Sequence, residues 1–310
     1  MAGFDFRFGR PGPGLGSSLA RRGGVHVFDL TQGSLPAGLA LTRASAGSAF
    51  APSGALVSCG ADTPRFDHDP TSGALRGLLL EAAATNLVPQ SIATVPGWIA
   101  DSCSPQPLAM NALGRFAGVS VPSSGVIWSR LKANVTLAAG TSYAVTCFLR
   151  AGGSGAARVV ISGAGGETHV AGPIGALAAT RGDLGSCSDI RQALLADGQT
   201  WRVSFVFASA VAGACHLGLG PASATAGADV ILLAMQMETG TTPTSFIGTQ
   251  AAPGPRARDR LVLNGLNGMH DLMLDYAGGA SATIAGALLA PGYELTPSLP
   301  HLRRVTAIGR

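Results

Sequence analysis

TWRVSFVFA, residues 200–208, alternates apolar and polar side chains and is the segment that decides the fold most clearly. In an extended strand, one face would carry Trp201, Val203, Phe205 and Phe207. Arg202 and Ser204 would begin the opposite face. Four other strand-like segments are bounded by Gly, Ala, Ser or Pro: SYAVTCFLRA (142–151), ARVVISG (157–163), CHLGLG (215–220) and DVILLAMQME (229–238). Such strands, separated by turn residues, predict an all-β protein with a β-sandwich or jelly roll.

The composition fits a folded chain that is rich in turns. Of 310 residues, 44 are Gly and 19 are Pro, together 63, or a fifth. This share is below the roughly 25–30% at which disorder is expected. Hydrophobic residues make up 46% and charged residues only 12%, against about 25% charged residues in ordinary soluble domains. A chain with so few charged residues has little electrostatic repulsion between its copies, so we expect a homo-oligomer or a component of an assembly.

The charge pattern argues against nucleic acid as a partner. The net charge is +4, and the basic residues are scattered along the chain instead of forming a stripe with interleaved aromatic residues. The N-terminus lacks the apolar core of a signal peptide, and no run of about 18 apolar residues occurs. We therefore expect synthesis in the cytoplasm, no membrane insertion and, if the protein acts outside the cell, release by lysis or as part of a particle.

The chain divides into four predicted regions. These are an N-terminal docking segment (1–24), a lead-in region with short strands (25–91), a jelly-roll domain (92–252) and a small C-terminal β domain (261–310). APGPRARDR (252–260) is predicted to be a linker. Two segments are ambiguous. GLLLEAAA (77–84) fits either a helical turn or a strand, and residues 182–199 fit a short helix between an Asp189 N-cap and a Gly198 C-cap.

No group of residues predicts a catalytic or metal site. The five cysteines are widely spaced without a CxxC pair, so Cys147 and Cys215 are expected to be small buried apolar side chains. Asp67 and Asp69 would point the same way in an extended FDHDP segment, as an acid–base pair or a calcium-binding edge would require. The flanking prolines favour a turn instead. We expect no enzyme and no cofactor, with a structural calcium ion left open.

Aromatic residues provide candidates for sugar binding, since an aromatic ring can stack on the apolar face of a pyranose. Trp98 follows Pro96-Gly97, which favours an exposed loop. In GVIWSRLK (125–132), Trp128 would share a strand face with Arg130, whose guanidinium could bind hydroxyls. A buried Trp128 is the competing interpretation. The candidate carbohydrate-binding residues are therefore Trp98, Trp128 and Arg130.

Three stretches carry motifs that local patterning does not explain: TRASAGSAFAPSGALVSCGAD (42–62), PRFDHDPTSGALRGLLLEAAATNLVPQS (64–91) and MQMETGTTPTSFIGTQAAPGPRARD (235–259). Together they resemble a family of bacteriophage and phage-like particle proteins in which such a lead-in precedes a lectin-like β-sandwich. The sandwich region is similar to the jelly-roll carbohydrate-binding modules of glycanases. Their closing pattern matches Gln236-x-Glu238 and Ser245-Phe246-Ile247, followed by Arg256 and Asp259. The likeness covers roughly residues 40–262.

Within this family the chain resembles head-spike fibre proteins of alphaproteobacterial gene transfer agents. The resemblance implies a non-catalytic fibre on the surface of a virion-like particle, binding the capsular polysaccharide of a recipient cell. The N-terminus would dock on a spike base protein at a capsid vertex. Its alternating Phe4, Phe6 and Phe8 suggest docking by an added edge strand. A glycan-degrading spike and a purely structural tail or baseplate protein are the alternatives.

Overall fold

The computed structural model describes residues 24–310, and these residues form antiparallel β-strands with a single 3₁₀ turn at Ala277–Gly279. The all-β prediction is confirmed. The first strands are β1 (Val25–Asp29), β2 (Leu39–Thr42), β3 (Gly47–Phe50), β4 (Leu56–Cys59), β5 (Phe66–His68), β6 (Leu75–Leu79), β7 (Ala84–Asn86), β8 (Ile99–Asp101), β9 (Gln106–Pro107), β10 (Val119–Pro122), β11 (Arg130–Leu137) and β12 (Ser142–Ala151). The others are β13 (Ala156–Gly163), β14 (Gly166–Pro173), β15 (Ala178–Gly182), β16 (Gly185–Leu194), β17 (Thr200–Ser209), β18 (Gly213–Pro221), β19 (Asp229–Thr239), β20 (Gly254–Arg256), β21 (Arg260–Leu263), β22 (Gly268–Tyr276), β23 (Ser281–Leu289), β24 (Tyr293–Leu295) and β25 (His301–Gly309).

Two six-stranded sheets face each other as a sandwich. Sheet one has the order β16-β17-β12-β19-β10-β9, and sheet two has the order β15-β14-β13-β18-β11-β8. The five segments that the alternation pattern predicted are β12, β13, β17, β18 and β19. Val203, Phe205 and Phe207 enter the core between the sheets, as predicted. Burial of these large side chains is the main stabilising contribution.

Sheet one is also covered on its outer face. Its outward side chains Phe148, Leu233 and Ala234 pack with Phe50 and Leu56 of the β3–β4 hairpin. Phe116 and Phe246 complete this second layer, with their ring centroids 5.3 Å apart in an edge-to-face contact. The strands of sheet one are therefore apolar on both faces, which explains their long hydrophobic runs.

A second β unit joins the beginning and the end of the chain. Sheet three has the order β23-β22-β25-β6-β5, with β1 also paired to β25, and sheet four has the order β2-β21-β24. Their facing side chains share one core, which includes Phe28, Leu78, Leu263 and Val305. Sequence patterning treats 25–91 and 261–310 as separate regions, whereas in the structure their strands share sheets. Local periodicity cannot reveal this pairing because the partners lie more than 200 residues apart.

Three segments differ from or resolve the sequence expectations. Residues 182–199 contain β16 and no helix, and Asp189 has a positive φ of 49° at a β-bulge instead of capping a helix. GLLLEAAA is extended, ending β6 and beginning β7. The expected linker 252–260 holds β20 and is fixed by buried ion pairs. Within residues 24–310, no helix is long and apolar enough to cross a membrane.

Candidate functional site

The motif residues of the three signature stretches converge on a buried group of charges. We call this the signature cluster, formed by Arg43, Arg65, Glu81, Arg256 and Asp259. The Asp259 carboxylate bonds Arg43 Nη1 at 2.9 Å and also pairs with Arg65, and the side chains of all three are fully buried. Arg65 Nη1 lies 2.8 Å from Glu81 Oε2. The cluster therefore joins chain segments that are more than 170 residues apart.

Electrostatics hold the Glu81 carboxylate of this cluster ionised. Burial alone would raise the pKa of Glu81, but the charges of Arg256 and Arg65 and the hydrogen bonds from Ser245 outweigh it and lower the pKa below the ordinary value. Removing one member of such a cluster leaves an uncompensated charge in a dry environment. The Arg and Asp side chains of the cluster are at most 1% exposed and Glu81 is 9% exposed, so the role of the cluster is structural.

The remaining motif residues bind backbone groups of the segment after β19. Gln236 Oε1 accepts a hydrogen bond from Ile247 N at 2.6 Å, and Asn86 Nδ2 donates to Ile247 O at 2.8 Å. Glu238 accepts from Thr244 N at 3.1 Å, and Glu81 accepts from Ser245 N at 2.7 Å. These bonds hold residues 242–247 in one conformation although the segment has no regular secondary structure.

This held segment forms one wall of an open cleft of about 370 Å³ between sheet one and the second β unit. We call this space the arginine cleft, after Arg76, Arg191 and Arg202, which line it. Its other polar lining residues are Asp67, Glu81, Gln192, Ser204, Thr242, Thr244, Ser245 and His301. The cleft is the place where side chains capable of binding a ligand converge on a concave surface.

Arg202 lies on the floor of the arginine cleft. It belongs to β17 and faces away from the sandwich core, opposite Phe148 of β12. Its Nη2 donates to Thr244 O at 3.3 Å, while its Nε is buried without a hydrogen-bond partner among the described residues. Burial lowers the pKa of Arg202, and the nearby carboxylates, Asp67 first among them, oppose that shift. An incompletely satisfied guanidinium is therefore fixed at the base of the cleft.

A β-bulge directs Arg191 into the same cleft. Ser188 of β16 pairs with Val206 and Arg191 pairs with Ser204, so that β16 contains one additional residue between these pairs. The additional residue reverses the alternation of side chains after it. Ile190 packs against the sandwich core as a result, and exposed Arg191 lies on the cleft face beside Ser204.

A second β-bulge places Arg76. Asp67 pairs with Gly77 and His68 pairs with Leu75, which leaves Arg76 as the additional residue of β6. Bulges near functional sites commonly redirect a side chain in this way. Arg76 and Arg191 thus reach the cleft from opposite β units.

The acidic side chains of the cleft form hydrogen bonds and ion pairs with groups other than the three arginines. Asp67 Oδ1 accepts from Phe50 N at 2.7 Å, and Asp67 Oδ2 lies 2.8 Å from His301 Nε2. Glu81 pairs with Arg65 and Arg256 of the signature cluster. The cleft carboxylates are consequently paired with groups other than Arg76, Arg191 and Arg202. These three arginines form no ion pair within 4 Å among the described residues, although Asp67, Glu81 and Glu238 act on the charge of Arg202 from a longer distance.

The predicted sugar-binding residues do not form one site. Trp98 is only 7% exposed and packs in the sandwich core, so its ring has no free face for stacking. Trp128 is 50% exposed, next to Ile127, but it precedes β11 and does not share a strand face with Arg130. Arg130 is buried, and its guanidinium is occupied by Asp101, at 2.9 Å, and by Glu167. Its fork is therefore not free for sugar hydroxyls.

Sequence reasoning did not identify the three cleft arginines. The one available signal was the alternation in TWRVSFVFA, which places Arg202 and Ser204 on the face opposite the apolar residues. This alternation did not indicate which part of the protein that face would contact. No local pattern marks Arg76 or Arg191, since a bulge decides which way each points. The Asp69 side chain accepts hydrogen bonds from Thr71 N and Ser72 N, which confirms the predicted turn.

Comparison of the chain with protein-family models finds no match, and comparison with curated proteins finds none either. Among residues 24–310, no group of three or more His, Cys, Asp or Glu side chains is arranged to hold a metal ion. The five cysteines are unpaired, and Cys147 and Cys215 are buried in the sandwich core, as predicted. The function must therefore be argued from the arginine cleft and the fold that positions it.

Proposed function

We propose that this protein is a non-catalytic attachment component of a phage-like particle, and that it binds the capsular polysaccharide of a bacterial cell. The observation that carries the proposal is the arginine cleft, which is open, concave, and lined by three arginines that form no ion pair among the described residues. Polar groups held rigidly on a scaffold bind a ligand without first losing conformational entropy.

The strand order supports the jelly-roll interpretation. The central strands pair in the order β10-β19-β12-β17 in sheet one and β11-β18-β13-β14 in sheet two. The chain passes between the two sheets as it forms them, as in double-sheet jelly rolls, which include lectin domains. Fold likeness alone does not establish a ligand, so the proposal rests on the cleft.

The arrangement of the carboxylates favours binding over hydrolysis. Glycoside hydrolysis uses two carboxyl groups facing a glycosidic bond about 5–10 Å apart. Asp67 has both oxygens engaged by Phe50 N and His301, and Asp69 fixes a turn. Neither is positioned as a free acid facing a partner. A glycan-degrading spike would have to shorten polysaccharide chains, which size-exclusion chromatography after incubation measures directly.

The proposal is tested by binding of the purified full-length protein to capsulated cells and to an isogenic capsule-deficient strain. We expect saturable binding to the capsulated strain alone, with an avidity that rises about 10²–10⁴-fold when several copies are displayed on one particle or bead. Equal binding to both strains, or none to either, would contradict an attachment function and favour a purely structural one.

The particle role includes docking through the N-terminal segment 1–24, which apart from Gly24 lies outside the described residues together with Phe4, Phe6 and Phe8. We propose that this segment binds a spike base protein at a capsid vertex. Deleting residues 2–16 should leave polysaccharide binding intact and abolish incorporation into particles, measured by immunoblotting of purified particles. Normal incorporation of the truncated protein would refute this docking mode.

A further inference from the structure

We infer that the arginine cleft selects acidic polysaccharide, and that it does so by binding carboxylate groups of uronic-acid-type sugars through Arg76, Arg191 and Arg202. This inference rests on the proposed polysaccharide-binding function and specifies its ligand class. A neutral-glycan site would instead be expected to be dominated by aromatic stacking and neutral amides.

The charge balance within the cleft is the first argument. Asp67 is paired with His301, and Glu81 is paired with Arg65 and Arg256. The three lining arginines form no ion pair with these carboxylates, although Asp67 and Glu81 partly offset the charge of Arg202 from a longer distance. Like charges brought together in a partly desolvated cleft repel each other, and an anionic ligand relieves that repulsion.

The second argument is the hydrogen-bonding demand of Arg202. Its Nε is buried without a partner among the described residues, and its one recorded bond goes to Thr244 O at 3.3 Å. A guanidinium with a buried, unsatisfied nitrogen is costly, so a ligand oxygen that binds the part of Arg202 still exposed to the cleft gains more than it would at the surface. The planar guanidinium fork matches a carboxylate, which it can bind through two parallel hydrogen bonds.

The third argument is the placement of the arginines around neutral hydroxyl groups. Ser204 lies opposite Arg191 in the sheet register, and Thr244 and Ser245 line the wall beside Arg202. A saccharide presents hydroxyls around its carboxylate. The Thr244 and Ser245 hydroxyls donate to Glu238 and Glu81, so it is the Ser204 hydroxyl that the lining presents to a saccharide hydroxyl beside Arg191. The β-bulges decide that Arg76 and Arg191 leave the backbone toward the cleft, and the alternation of β17 does the same for Arg202.

A second open pocket in the structure provides a contrast. It is lined by Asp29, Asp275, Arg303 and Arg304 on the second β unit. Arg304 pairs with Asp275 at 2.6 Å, and its charge also lowers the pKa of Asp29, which is set first by hydrogen bonds from Thr31. Acidic and basic groups are balanced there, so this pocket offers no selection for an anion.

The test measures binding of polygalacturonate, of the same polymer after chemical reduction of its carboxyl groups, and of dextran sulfate, by biolayer interferometry with the full-length protein. We expect binding to polygalacturonate, a loss of about tenfold or more after carboxyl reduction, and weaker binding to dextran sulfate. Arg191→Gln and Arg202→Gln should each weaken polygalacturonate binding about tenfold.

Arg310→Gln is the matched control, because the substitution removes the same charge at an exposed position outside the cleft. Arg310 lies on the outer face of sheet three, where it pairs with Asp271. It should change affinity by less than about twofold. Arg191 is exposed, so Arg191→Gln keeps the test valid if Arg202→Gln disturbs folding. Equal loss with all three substitutions, or dextran sulfate binding as tightly as polygalacturonate, would show non-selective attraction of polyanions and overturn the inference.

The same variants separate this inference from the proposed function. Capsule-dependent cell binding that is insensitive to Arg191→Gln, Arg202→Gln and carboxyl reduction of the capsule would refute the arginine cleft as the site while leaving attachment in place. Absence of capsule-dependent binding by the unaltered protein would refute the attachment function itself.

Discussion

Replacing Asp259 by alanine should destabilise the protein strongly, because this carboxylate is the centre of the signature cluster. It accepts hydrogen bonds from Arg43 Nη1 and Glu81 N, each at 2.9 Å, and it also pairs with Arg65. Its side chain and those of both arginines are fully buried. After the substitution, three arginines would remain in the cluster with Glu81 as their only acidic member.

The magnitude follows from these contacts. Removing one partner of a buried ion pair costs about 3–5 kcal/mol. The Glu81 N–H also loses its acceptor, and an unsatisfied buried N–H costs about 1–3 kcal/mol. These contributions are not additive, so we expect the free energy of unfolding to fall by at least about 3–5 kcal/mol. With a urea m-value of about 2–3 kcal/mol/M, the midpoint should fall by about 1–2.5 M.

The assay is urea unfolding at pH 7 followed by tryptophan fluorescence. Asp259→Asn, which keeps the shape and one acceptor oxygen, should give an intermediate loss. Asp275→Ala is the control, since Asp275 pairs at 2.6 Å with Arg304 at the surface, where the two side chains are 26% and 56% exposed; it should cost no more than about 1 kcal/mol. If the Asp259→Ala midpoint shifts no further than that of the control, the signature cluster does not stabilise the fold and the reasoning fails.

Three further outcomes are expected. The pKa of Glu81 is lowered on folding, so its contribution to stability is fully present above its ordinary value of 4.5 and is lost as pH falls through the folded-state pKa. As pH falls to about 3, the urea midpoint should therefore decline less steeply for Glu81→Gln than for the unaltered protein. Identical slopes for the two proteins would contradict this. Phe116→Ala removes a fully buried ring that contacts two other phenylalanine rings. Calorimetry should show that the free energy of unfolding falls by about 3–5 kcal/mol. A fall of less than about 1 kcal/mol would mean that the layer on the outer face of sheet one is not packed as described. Burial raises the pKa of Cys187 to about 11 and also raises the pKa values of fully buried Cys147 and of partly exposed Cys59, where Arg43 and Arg65 oppose the shift. Maleimide labelling of native protein at about pH 7.5 should therefore modify Cys59 before Cys187 and Cys147. Mass spectrometry that finds Cys187 or Cys147 labelled first would contradict this.

The strands of the sandwich were predictable because burial between two sheets leaves a periodic trace in the sequence. TWRVSFVFA alternates because Val203, Phe205 and Phe207 all enter one core. The continuous apolar run in β19 arises because sheet one is covered on both faces. Cys147 is buried for the same reason, because its strand β12 belongs to sheet one and both faces of that sheet are covered.

The candidate site was not predictable for a different reason. The direction of Arg76 and Arg191 depends on one additional residue in each strand, and a one-residue change in register moves a side chain to the opposite face. Trp128 and Arg130 lie in the same short segment, yet one is exposed and the other is enclosed by carboxylates from β8 and β14. Sequence spacing contains no information on those partners.

The sequence by itself determined most of the local states of this protein: which segments are extended, where turns interrupt them, and which strand faces are apolar. The exceptions are residues 182–199, where β16 replaces the expected helix, and residues 77–84. These properties depend on neighbouring residues, so they can be read within a window of about ten positions. Only the tertiary structure decided that β1 and β2 pair with the C-terminal strands, that the motif charges meet at Asp259, and that three arginines face one cleft. Those outcomes depend on contacts between residues that are distant in the chain. Such contacts form only in the complete fold, in which both β units must pack and the buried charges must find their partners.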